Sequence, residues 1–383
     1  MNYLMVDISG KVLNYDIALC EALSKALPSN DHLTFLAANV VPKKVNCDCK
    51  RLISLIPKSL KNSENIVKRG FKALEGLVNY IYLILYLAFH KVGILHLQWL
   101  PFLEICSIER FFLKMIKFIS PKTKVFLTVH NLYPHNSNEF KKNIYRSRFS
   151  KLQRYIDKFI LHLDVSRKEF CLDFSINESR TVVIPHGIFE PKGYVVKTHV
   201  RGEKLNLVMY GNQSYYKGTD ILVDALNLLP KDCQEKVHTV IVGKIAPNYY
   251  VSLKNKTKQL DVEWIPEFVS DEVLYDKIAE SDVIVIPYRE ISQSGVLLLA
   301  LSFNRMIIAS DLPSFKETLD GINDELFFEK GNVESLAKKI EKIINTNNDI
   351  FAIKSAVKRI CDKYAWANIA QKYINNIYAK NGE

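Results

Sequence analysis

The sequence predicts an α/β protein made of two doubly wound, Rossmann-like domains. Short apolar runs typical of strands alternate with longer segments of helical periodicity along almost all of the 383 residues. Most of the short runs are continuously apolar, as expected for parallel strands buried on both faces of a sheet. Polar segments containing glycine follow several of these runs, at the strand ends where doubly wound sheets bind ligands. Two such sheets with facing loops would enclose one central cleft.

Twelve strands are predicted, six in each half of the chain. Those of the first half lie near residues 3–8, 33–37, 93–98, 124–129, 158–163 and 181–184. Those of the second half lie near residues 205–210, 237–242, 261–265, 283–287, 305–309 and 326–328. A polar stretch with proline and glycine, residues 190–202, marks the boundary between them. We therefore predict domains at 1–195 and 203–350, followed by a long aromatic segment, 351–383, that packs as a helix across the domain junction.

The composition indicates a globular protein of a reducing compartment. Hydrophobic residues make up 48% of the chain and charged residues 24%, which excludes a disordered protein. Seven cysteines are scattered without a CxxC pair or a metal-ligand spacing, so neither disulfides nor a metal centre are expected. The first residues form a strand pattern and lack the features of a signal peptide, which favours a cytoplasmic location.

The net positive charge of the chain comes entirely from its first half. Residues 1–200 contain 29 lysines and arginines against 16 acidic residues, a balance of +13, which leaves −2 of the net +11 for the second half. Within residues 43–72 and 110–119 the cations alternate with bulky apolar residues, a pattern typical of helices on an anionic membrane surface. A solvated basic face is the alternative. A nucleic-acid partner is not expected, because no zinc-finger, RRM or KH signature occurs. The apolar run 80–89 is too short to span a bilayer.

A strand-turn-helix segment, residues 285–300, has the features of a phosphate site. Valine and isoleucine run up to Pro287, and an aliphatic helix pattern follows Gly295. The turn between them contains two serines and Gln293. Serine is a favoured helix N-cap, and glycine leaves room for an anion beside the free amides of the first helical turn. An ordinary connection with a serine cap is the alternative.

Two further loops carry groups suited to binding or to acid–base chemistry. Lys217 and Gly218 open a predicted helix, where a lysine opposes the helix dipole unless an anion is bound. His130 and His135 flank a proline in a loop, where histidine can serve as acid, base or hydrogen-bond donor. An exposed lysine and structural histidines are the alternatives. The chain has no GxGxxG, GxxxxGK[ST], HExxH or DxD motif, which argues against a metal-chelated nucleotide sugar.

Seven short motifs, taken in order, resemble those of family 4 glycosyltransferases with the GT-B fold. They lie at residues 128–135, 184–187, 209–218, 241–243, 281–288, 292–295 and 326–336. The resemblance implies two Rossmann-like domains, an acceptor site in the first and a nucleotide-sugar site in the second. It also implies metal-independent, retaining transfer of a hexose. Members of this kind often act on a lipid diphosphate carrier at the inner membrane face, in the synthesis of capsule, exopolysaccharide or O-antigen.

The family's functional residues can be carried over position by position. By this resemblance, Lys217 and the amides of the 292–296 turn would hold the donor diphosphate, and the backbone at 267–269 would meet the base. His130 would lie near the reacting sugar, and Glu290 is a second catalytic candidate. The donor-binding set is Gly211, Lys217, Gly218, Phe268, Val269, Ser292, Gln293, Ser294, Gly295, Val296 and Glu317. The acceptor-side set is Gly10, Tyr15, Asn131 and His135.

The sequence departs from the family at two acidic positions. The usual pair of glutamates, eight residues apart, would fall on Ser292 and Ala300. Glu290 lies two residues from the first position and is a candidate replacement, whereas an alanine offers no carboxylate to a ribose. The departure leaves both retention and inversion of anomeric configuration open.

These observations predict a glycosyltransferase that is cytoplasmic and peripheral on the inner face of the cell membrane. It would transfer a sugar from a UDP- or GDP-linked donor to a lipid-linked or oligosaccharide acceptor. No cofactor and no metal is expected, and the partners are the donor, the acceptor and an anionic membrane surface. A nucleotide-sugar epimerase of similar fold is one alternative. A non-catalytic subunit that binds sugar nucleotides is another, favoured by the missing glutamates.

Overall fold

The structure is a computed structural model of the chain. It describes residues 1–37, 45–56, 66–134, 137–191, 193–196, 200–291, 293–321, 326–346 and 350–378, with the side chains of 350–356 outside this description. The chain divides into two compact units. Unit 1 comprises Met1–Gly187 with Trp366–Glu383, and unit 2 comprises Ile188–Ala365.

Unit 1 is a seven-stranded parallel sheet with helices packed on it. Its strands are β1 (Asn2–Asp7), β2 (His32–Ala37), β3 (Asp48–Arg51), β4 (Ile94–Leu97), β5 (Lys124–Thr128), β6 (Lys158–Leu161) and β7 (Thr181–Val183). Its helices are α1 (Leu13–Ala26), α2 (Ile66–Phe89), α3 (Ile108–Ile119), α4 (Glu139–Leu152), α5 (Asp164–Phe174) and, near the end of the chain, α14 (Trp366–Tyr373). The strand order is β3-β2-β1-β4-β5-β6-β7.

Unit 2 is a six-stranded parallel sheet of the same kind. Its strands are β8 (Leu205–Tyr210), β9 (Val237–Val242), β10 (Val262–Ile265), β11 (Val283–Ile286), β12 (Met306–Ser310) and β13 (Phe327–Phe328). Its helices are α6 (Thr219–Leu228), α7 (Lys231–Glu235), α8 (Pro247–Lys256), α9 (Asp271–Ala279), α10 (Gly295–Ser302), α11 (Pro313–Thr318), α12 (Val333–Asn345) and α13 (Ile350–Lys363). The strand order is β10-β9-β8-β11-β12-β13.

All twelve predicted strands are present, and one further strand was missed. The continuous apolar runs became buried parallel strands; β11, for example, is buried at all four of its positions. The missed strand, β3, has the sequence Asp-Cys-Lys-Arg and lies at the edge of the first sheet. Charged residues are common on edge strands because one side of such a strand faces solvent, and they give no apolar signal.

The end of the chain is shared between the two units. The last residues of unit 2 include Val357, Ile360 and Tyr364, which lie in its core. The chain then returns to unit 1, where α14 packs against α1 and the Tyr373 hydroxyl lies 2.7 Å from the Tyr15 hydroxyl. The predicted boundary at 190–202 and the predicted single C-terminal segment 351–383 therefore differ from the observed divisions after residues 187 and 365. Apolar periodicity shows that a helix is buried, but it does not show in which core.

Helix α2 is longer than the apolar run that the sequence suggested. It spans 24 residues, Ile66–Phe89, and by length and composition it could cross a membrane. The apolar run 80–89 forms the C-terminal part of this helix, and the fourteen residues before it contain polar side chains such as Glu75 and Asn79. Asn79 forms two hydrogen bonds with the backbone of Ile53, through its amide nitrogen and its carbonyl oxygen, both at 2.9 Å.

Candidate functional site

The connectivity of unit 2 creates a crevice between β8 and β11. The chain runs from β8 outward to β9 and β10, and then returns to place β11 on the other side of β8. The loops that follow β8 and β11 therefore leave the sheet in opposite directions. In doubly wound sheets, ligands bind at such a point, beyond the carboxyl ends of the strands.

Glycines allow the backbones of three loops to approach one another closely at this edge. Gly211, after β8, has a φ of +94°, and Gly243, after β9, has a φ of +130°. A Cβ added to Gly243 would overlap the carbonyl oxygen of Gly211. Gly218 has a φ of +70°, and a Cβ there would overlap the carbonyl oxygen of Pro287, after β11. Only glycine satisfies both the backbone conformation and the close approach at Gly218.

The side chain of Lys217 is buried next to Gly211, and its charge has no carboxylate partner among the described residues. The residue is 8% exposed, and its Nζ lies 5.3 Å from the centre of the Tyr288 ring. Among the described residues, no carboxylate lies within 4.0 Å of this Nζ. Burial lowers the pKa of Lys217 to about 8, because desolvation disfavours the charged ammonium group. A buried cation without a counter-ion is costly, so an anionic ligand would stabilise it.

The N-terminus of α10 and the side chain of Lys217 both lie next to Gly211. A Cβ added to Gly211 would lie 2.9 Å from Lys217 Nζ and 3.2 Å from Val296 Cγ2, so the two side chains converge on one point. Ser294 is the N-cap of the helix, and its hydroxyl accepts a hydrogen bond from the Leu297 amide at 3.2 Å. In the part of the chain that the structure describes, the amides of Gly295 and Val296 have no protein acceptor. An ammonium group and two open amides at a helix N-terminus are suited to a phosphate.

A salt bridge joins the first turn of α6, directly after Lys217 and Gly218, to the loop after β11. The two terminal guanidinium nitrogens of Arg289 donate to the carboxylate of Asp220, at 2.9 and 2.6 Å. The same guanidinium stacks on the ring of Tyr215, 4.0 Å from its centre. The amide of Arg289 also donates to the carbonyl oxygen of Tyr216 at 2.7 Å. These contacts fix the loop that carries Lys217 against the loop that leads into α10.

Two serines, Ser310 at the end of β12 and Ser314 in α11, also bind the backbone of the loop that leads into α10. The Ser310 hydroxyl donates to the carbonyl oxygen of Tyr288 at 2.6 Å, and the Ser314 hydroxyl donates to that of Ile291 at 2.9 Å. Neither the serines nor the Arg289–Asp220 pair was predicted. Their partners are between 22 and 69 positions away in sequence, and no local pattern joins them.

Unit 1 places a hydrogen-bonded pair of histidines at the carboxyl edge of its sheet. His162 Nδ1 lies 3.0 Å from the carbonyl oxygen of Ile184, which accepts, so this nitrogen carries the proton. The Nε2 of neutral His162 then accepts a hydrogen bond from Nδ1 of His130, at 3.3 Å. His130 Nε2 has the remaining lone pair and, within the described residues, no hydrogen-bond partner. The pair therefore fixes His130 as a hydrogen-bond acceptor at Nε2.

Burial keeps the histidines of this edge neutral. Desolvation lowers the pKa of His162 to about 4 and that of His186 to about 3. It also lowers the pKa of His130 well below its ordinary value, and the neighbouring histidines lower it further. At physiological pH these side chains accept or donate hydrogen bonds as neutral imidazoles.

The sequence of unit 2 matches a known family. Residues 204–346 match the family described as "Glycosyl transferases group 1", and they cover both loops of the anion site. Unit 2 carries a glycosyltransferase group 1 domain.

Several individual proteins are similar to a longer part of the chain than residues 204–346. A GDP-mannose:glycolipid 4-beta-D-mannosyltransferase of Xanthomonas campestris pv. campestris is 25% identical over 238 residues, which are 57% of this chain and 61% of that protein. The match thus spans about three-fifths of the relative's length. Anabaena HepE in complex with UDP and glucose has a TM-score of 0.69 at 15% identity, over 99% of this chain and 100% of that one. Sucrose-phosphate synthase of Thermosynechococcus elongatus has a TM-score of 0.69 at 15% identity, over 99% and 98%. The chain has the GT-B fold of these structures.

The structure brings together part of the predicted donor set. Gly211, Lys217, Gly218 and Val296 meet within the glycosyltransferase group 1 domain, next to Ser294 and Gly295. Gln293 is half-buried in the same turn, and Ser292 lies outside the described residues.

Four other predicted residues make none of the contacts that define the anion site. Phe268 is 84% exposed on the loop after β10, and Val269 is half-buried beside it. Glu290 is exposed, and Glu317 is half-buried in α11. The contacts that define the anion site include none of these four, so their assignment to the donor remains a prediction.

The acceptor-side set is also divided. Tyr15 is 2% exposed, its hydroxyl contacts that of Tyr373, and its ring packs on His130 with centres 4.8 Å apart. A side chain enclosed in this way supports the histidines and does not face an acceptor, which corrects the prediction for Tyr15. Gly10 adopts a φ of +64° and its amide donates to Asp7 at 2.9 Å. Asn131 is half-buried, and His135 lies outside the described residues.

Metal ligands do not cluster in the region that the structure describes. No group of three or more histidine, cysteine, aspartate or glutamate side chains there is arranged to hold an ion. Three histidine rings of unit 1 pack in a row, in the order His130, His162 and His186, and His186 also packs on the aromatic rings of Tyr15 and Trp366.

Proposed function

We propose that the protein is a glycosyltransferase that moves a sugar from a nucleoside-diphosphate donor to a lipid-linked saccharide acceptor. The observation that carries the proposal is the buried, uncompensated charge of Lys217 next to the open amides of α10. The family match of residues 204–346 supports the class of reaction. The substrates are supported by the Xanthomonas relative, whose name gives GDP-mannose and a glycolipid, and by the structurally similar HepE, which was solved with UDP and glucose.

In this proposal the chain stabilises the leaving nucleoside diphosphate. Breaking the bond between the sugar and the diphosphate adds negative charge to the phosphate oxygens. In this scheme the Lys217 ammonium group and the amides of Gly295 and Val296 would face that charge, and the protein holds them in place before the reaction begins. These groups supply the electrostatic role that a divalent metal has in other nucleotide-sugar sites, so we propose metal-independent transfer.

His130 is proposed to contact the reacting sugar. Its Nε2 is held as a neutral acceptor by His162, which suits a hydrogen bond from a sugar hydroxyl. His162 would be a positioning residue in this scheme, because it acts through His130. Glu290 remains the second catalytic candidate, and its exposure leaves it accessible to substrate.

The proposed stereochemical outcome is retention, as the resemblance implies. Ala300, at the second family glutamate position, is fully buried in the core of unit 2, so this position gives no contact to a ribose. The description of the Xanthomonas relative points to the other outcome, because a beta linkage formed from alpha-linked GDP-mannose requires inversion. The one-bond coupling between the anomeric carbon and its proton, measured by NMR on the purified product, tests this part of the proposal. An inverted product would overturn the assignment of retention and leave the rest of the proposal standing.

Nucleotide binding and transfer together test the function. At about 100 times the dissociation constant, UDP or GDP should raise the melting temperature by about 5–10 °C. Mass spectrometry should then detect transfer from one of a panel of UDP- and GDP-sugars to a polyprenyl-diphosphate-linked saccharide. No shift with either nucleotide would overturn the proposal. Conversion of a nucleotide sugar without acceptor would indicate the epimerase, and binding without any turnover would indicate a non-catalytic subunit.

The pKa of Lys217 predicts how nucleotide binding depends on pH. In the free protein this pKa is about 8, and a bound diphosphate should raise it by its negative charge. Binding therefore takes up a proton above pH 8, and the affinity should fall by up to about tenfold per pH unit between pH 8 and the higher pKa of the complex. The ring of Tyr288 lies beside the ammonium group, but burial raises the pKa of this tyrosine, so its hydroxyl stays protonated throughout this pH range.

Isothermal titration calorimetry in two buffers of different ionisation enthalpy would measure this proton uptake. About half a proton is expected at pH 8 and about a tenth at pH 7, two values at which the terminal phosphate of the nucleotide is already mostly ionised. A Lys217→Met variant should show no uptake at either pH. Equal affinity at pH 7 and pH 9.5 in the wild-type protein would contradict the assignment of Lys217 to the phosphate site.

A further inference from the structure

Helix α2 of unit 1 exposes an apolar stripe along its whole length. Val67, Leu74, Ile81, Leu85 and Phe89 are separated by seven or four residues, which places them on one face of the helix. Each is at least half exposed, from 50% for Val67 to 83% for Phe89. Surface helices normally carry polar residues on this side, and a continuous apolar face of this kind marks an interaction surface.

The opposite face of α2 is firmly packed in unit 1. Tyr80 and Leu83 are completely buried, and Leu87 is 4% exposed. The ring of Tyr80 stacks on that of Phe112 in α3, with centres 4.4 Å apart, and its hydroxyl donates to Glu109 at 3.1 Å. A helix bound in this way lies along the surface of the unit, with one face inside and one face outside.

The neighbouring helix α3 exposes the same combination of residues. Phe111 is 58% exposed and Phe118 is 79% exposed, and their spacing of seven residues places them on one face. Lys114 is exposed between them. Ile105, in the turn before the helix, is 69% exposed.

The charges around these helices are positive. Residues 66–122 contain eight lysines and arginines and three glutamates, a balance of +5, and one of the glutamates, Glu109, is buried. Lys68, Arg69 and Lys72 lie in the first two turns of α2. Cations at a helix N-terminus are opposed by the helix dipole, and a negatively charged surface would offset that cost.

A shallow basic pocket of about 390 Å³ lies next to α3. It is formed by Ser107, which precedes α3, together with residues of α4, and Arg148 and Lys151 supply its charge. The exposed ring of Phe140 lines it, and none of its lining residues is acidic. A cationic pocket with an apolar wall suits a phosphate group attached to an acyl chain.

We propose that α2 and α3 form a docking surface for an anionic phospholipid bilayer, with α2 lying in the plane of the interface. The exposed stripe of α2 and the phenylalanines of α3 would enter the acyl region, and the cations around them would contact lipid phosphates. Charge complementarity selects this partner, since a second copy of the chain would bring the same positive surfaces together. The proposal does not depend on sugar transfer.

The stripe can be tested with a triple variant, Leu74→Gln, Ile81→Gln and Leu85→Gln. Glutamine keeps the helix propensity of these exposed positions. Flotation of the full chain with vesicles of 30% phosphatidylglycerol in phosphatidylcholine should show binding by the wild-type protein and at least about tenfold weaker partitioning of the variant. A matched control variant, Leu172→Gln, Leu228→Gln and Val251→Gln, changes three exposed apolar residues on other helices and should bind like the wild type.

Charge is tested separately with Arg69→Gln, Lys72→Gln and Lys114→Gln. Each cation near an anionic surface raises the membrane partition coefficient by about fivefold. This triple variant should therefore bind the vesicles about a hundredfold more weakly than the wild-type protein at low salt. A control with Lys231→Gln, Lys254→Gln and Lys258→Gln in unit 2 removes the same charge and should retain the binding. Vesicles of phosphatidylcholine alone should bind the wild-type protein weakly.

Three outcomes would overturn the proposal. Wild-type protein that does not float with anionic vesicles has no docking surface for them, and a stripe variant that floats like the wild type places the surface elsewhere. Protein that stays in native membranes after carbonate extraction at pH 11 would show α2 to be a transmembrane segment. Unchanged circular dichroism and unchanged melting shifts with UDP and GDP would show that the variants are folded and that nucleotide binding is independent of the bilayer.

Discussion

Replacing Lys217 with methionine should abolish most nucleotide binding while leaving the free protein at least as stable. Methionine keeps the apolar stem of the side chain and removes the ammonium group. In the free protein that group is buried, lacks a carboxylate partner among the described residues and has its pKa lowered to about 8. Its removal relieves a desolvation cost, so the melting temperature should stay unchanged or rise.

The same substitution should lower kcat/KM for transfer by about 10²–10³, the loss typical of removing one preorganised group that stabilises developing charge. Nucleotide affinity, measured by calorimetry, should fall by a similar factor at pH 7. A Lys244→Met variant is the matched control, because this lysine follows the neighbouring strand β9 at the same edge of the sheet but is exposed. If Lys217→Met destabilised the free protein and left nucleotide affinity intact, Lys217 would be a structural residue.

Replacing Gly218 with alanine should destabilise unit 2 severely. The residue has a φ of +70°, which costs a non-glycine residue about 1–3 kcal/mol. The added Cβ would also overlap the carbonyl oxygen of Pro287, and this backbone cannot move away without opening the Arg289–Asp220 contact. The two costs together should lower the free energy of unfolding by more than about 3 kcal/mol.

A Gly331→Ala variant separates these two costs. Gly331 has a φ of +79°, close to that of Gly218, but no atom lies within 4 Å of the position that a Cβ would take. This variant should lose only about 1–2 kcal/mol, measured by denaturant unfolding. Equal losses in the two variants would show that the close approach of Pro287 contributes nothing to the requirement for glycine.

The fold was predictable because its strands carry a strong local signal. A strand buried on both faces must be apolar at each position, and runs such as 283–286 show this directly in sequence. The donor loops were predictable for a related reason. Parallel strands end at the same edge, so polar residues after β8 and β11 had to lie near each other once the sheet had formed.

The contacts that make the candidate site were not predictable from the sequence. Arg289 and Asp220 are 69 positions apart, and the bidentate bond between them depends on the order of the strands that carry their loops. The orientation of His130 depends on His162, and through it on a backbone carbonyl beyond the next strand. Tyr15 was misassigned because a tyrosine after β1 can point toward solvent or into the core, and its local sequence is compatible with both.

By itself, the sequence determined the two Rossmann-like sheets and the loops that hold Lys217 and the N-terminus of α10. It also determined that the net positive charge comes from the first 200 residues. These features depend on residue type and spacing along the chain. Only the tertiary structure decided that Lys217 is buried without a carboxylate among the described residues, that His130 Nε2 is a buried acceptor without a partner among them, and that α2 exposes an apolar face. Burial and hydrogen-bond partnership are set by distant segments, and a pKa follows from both.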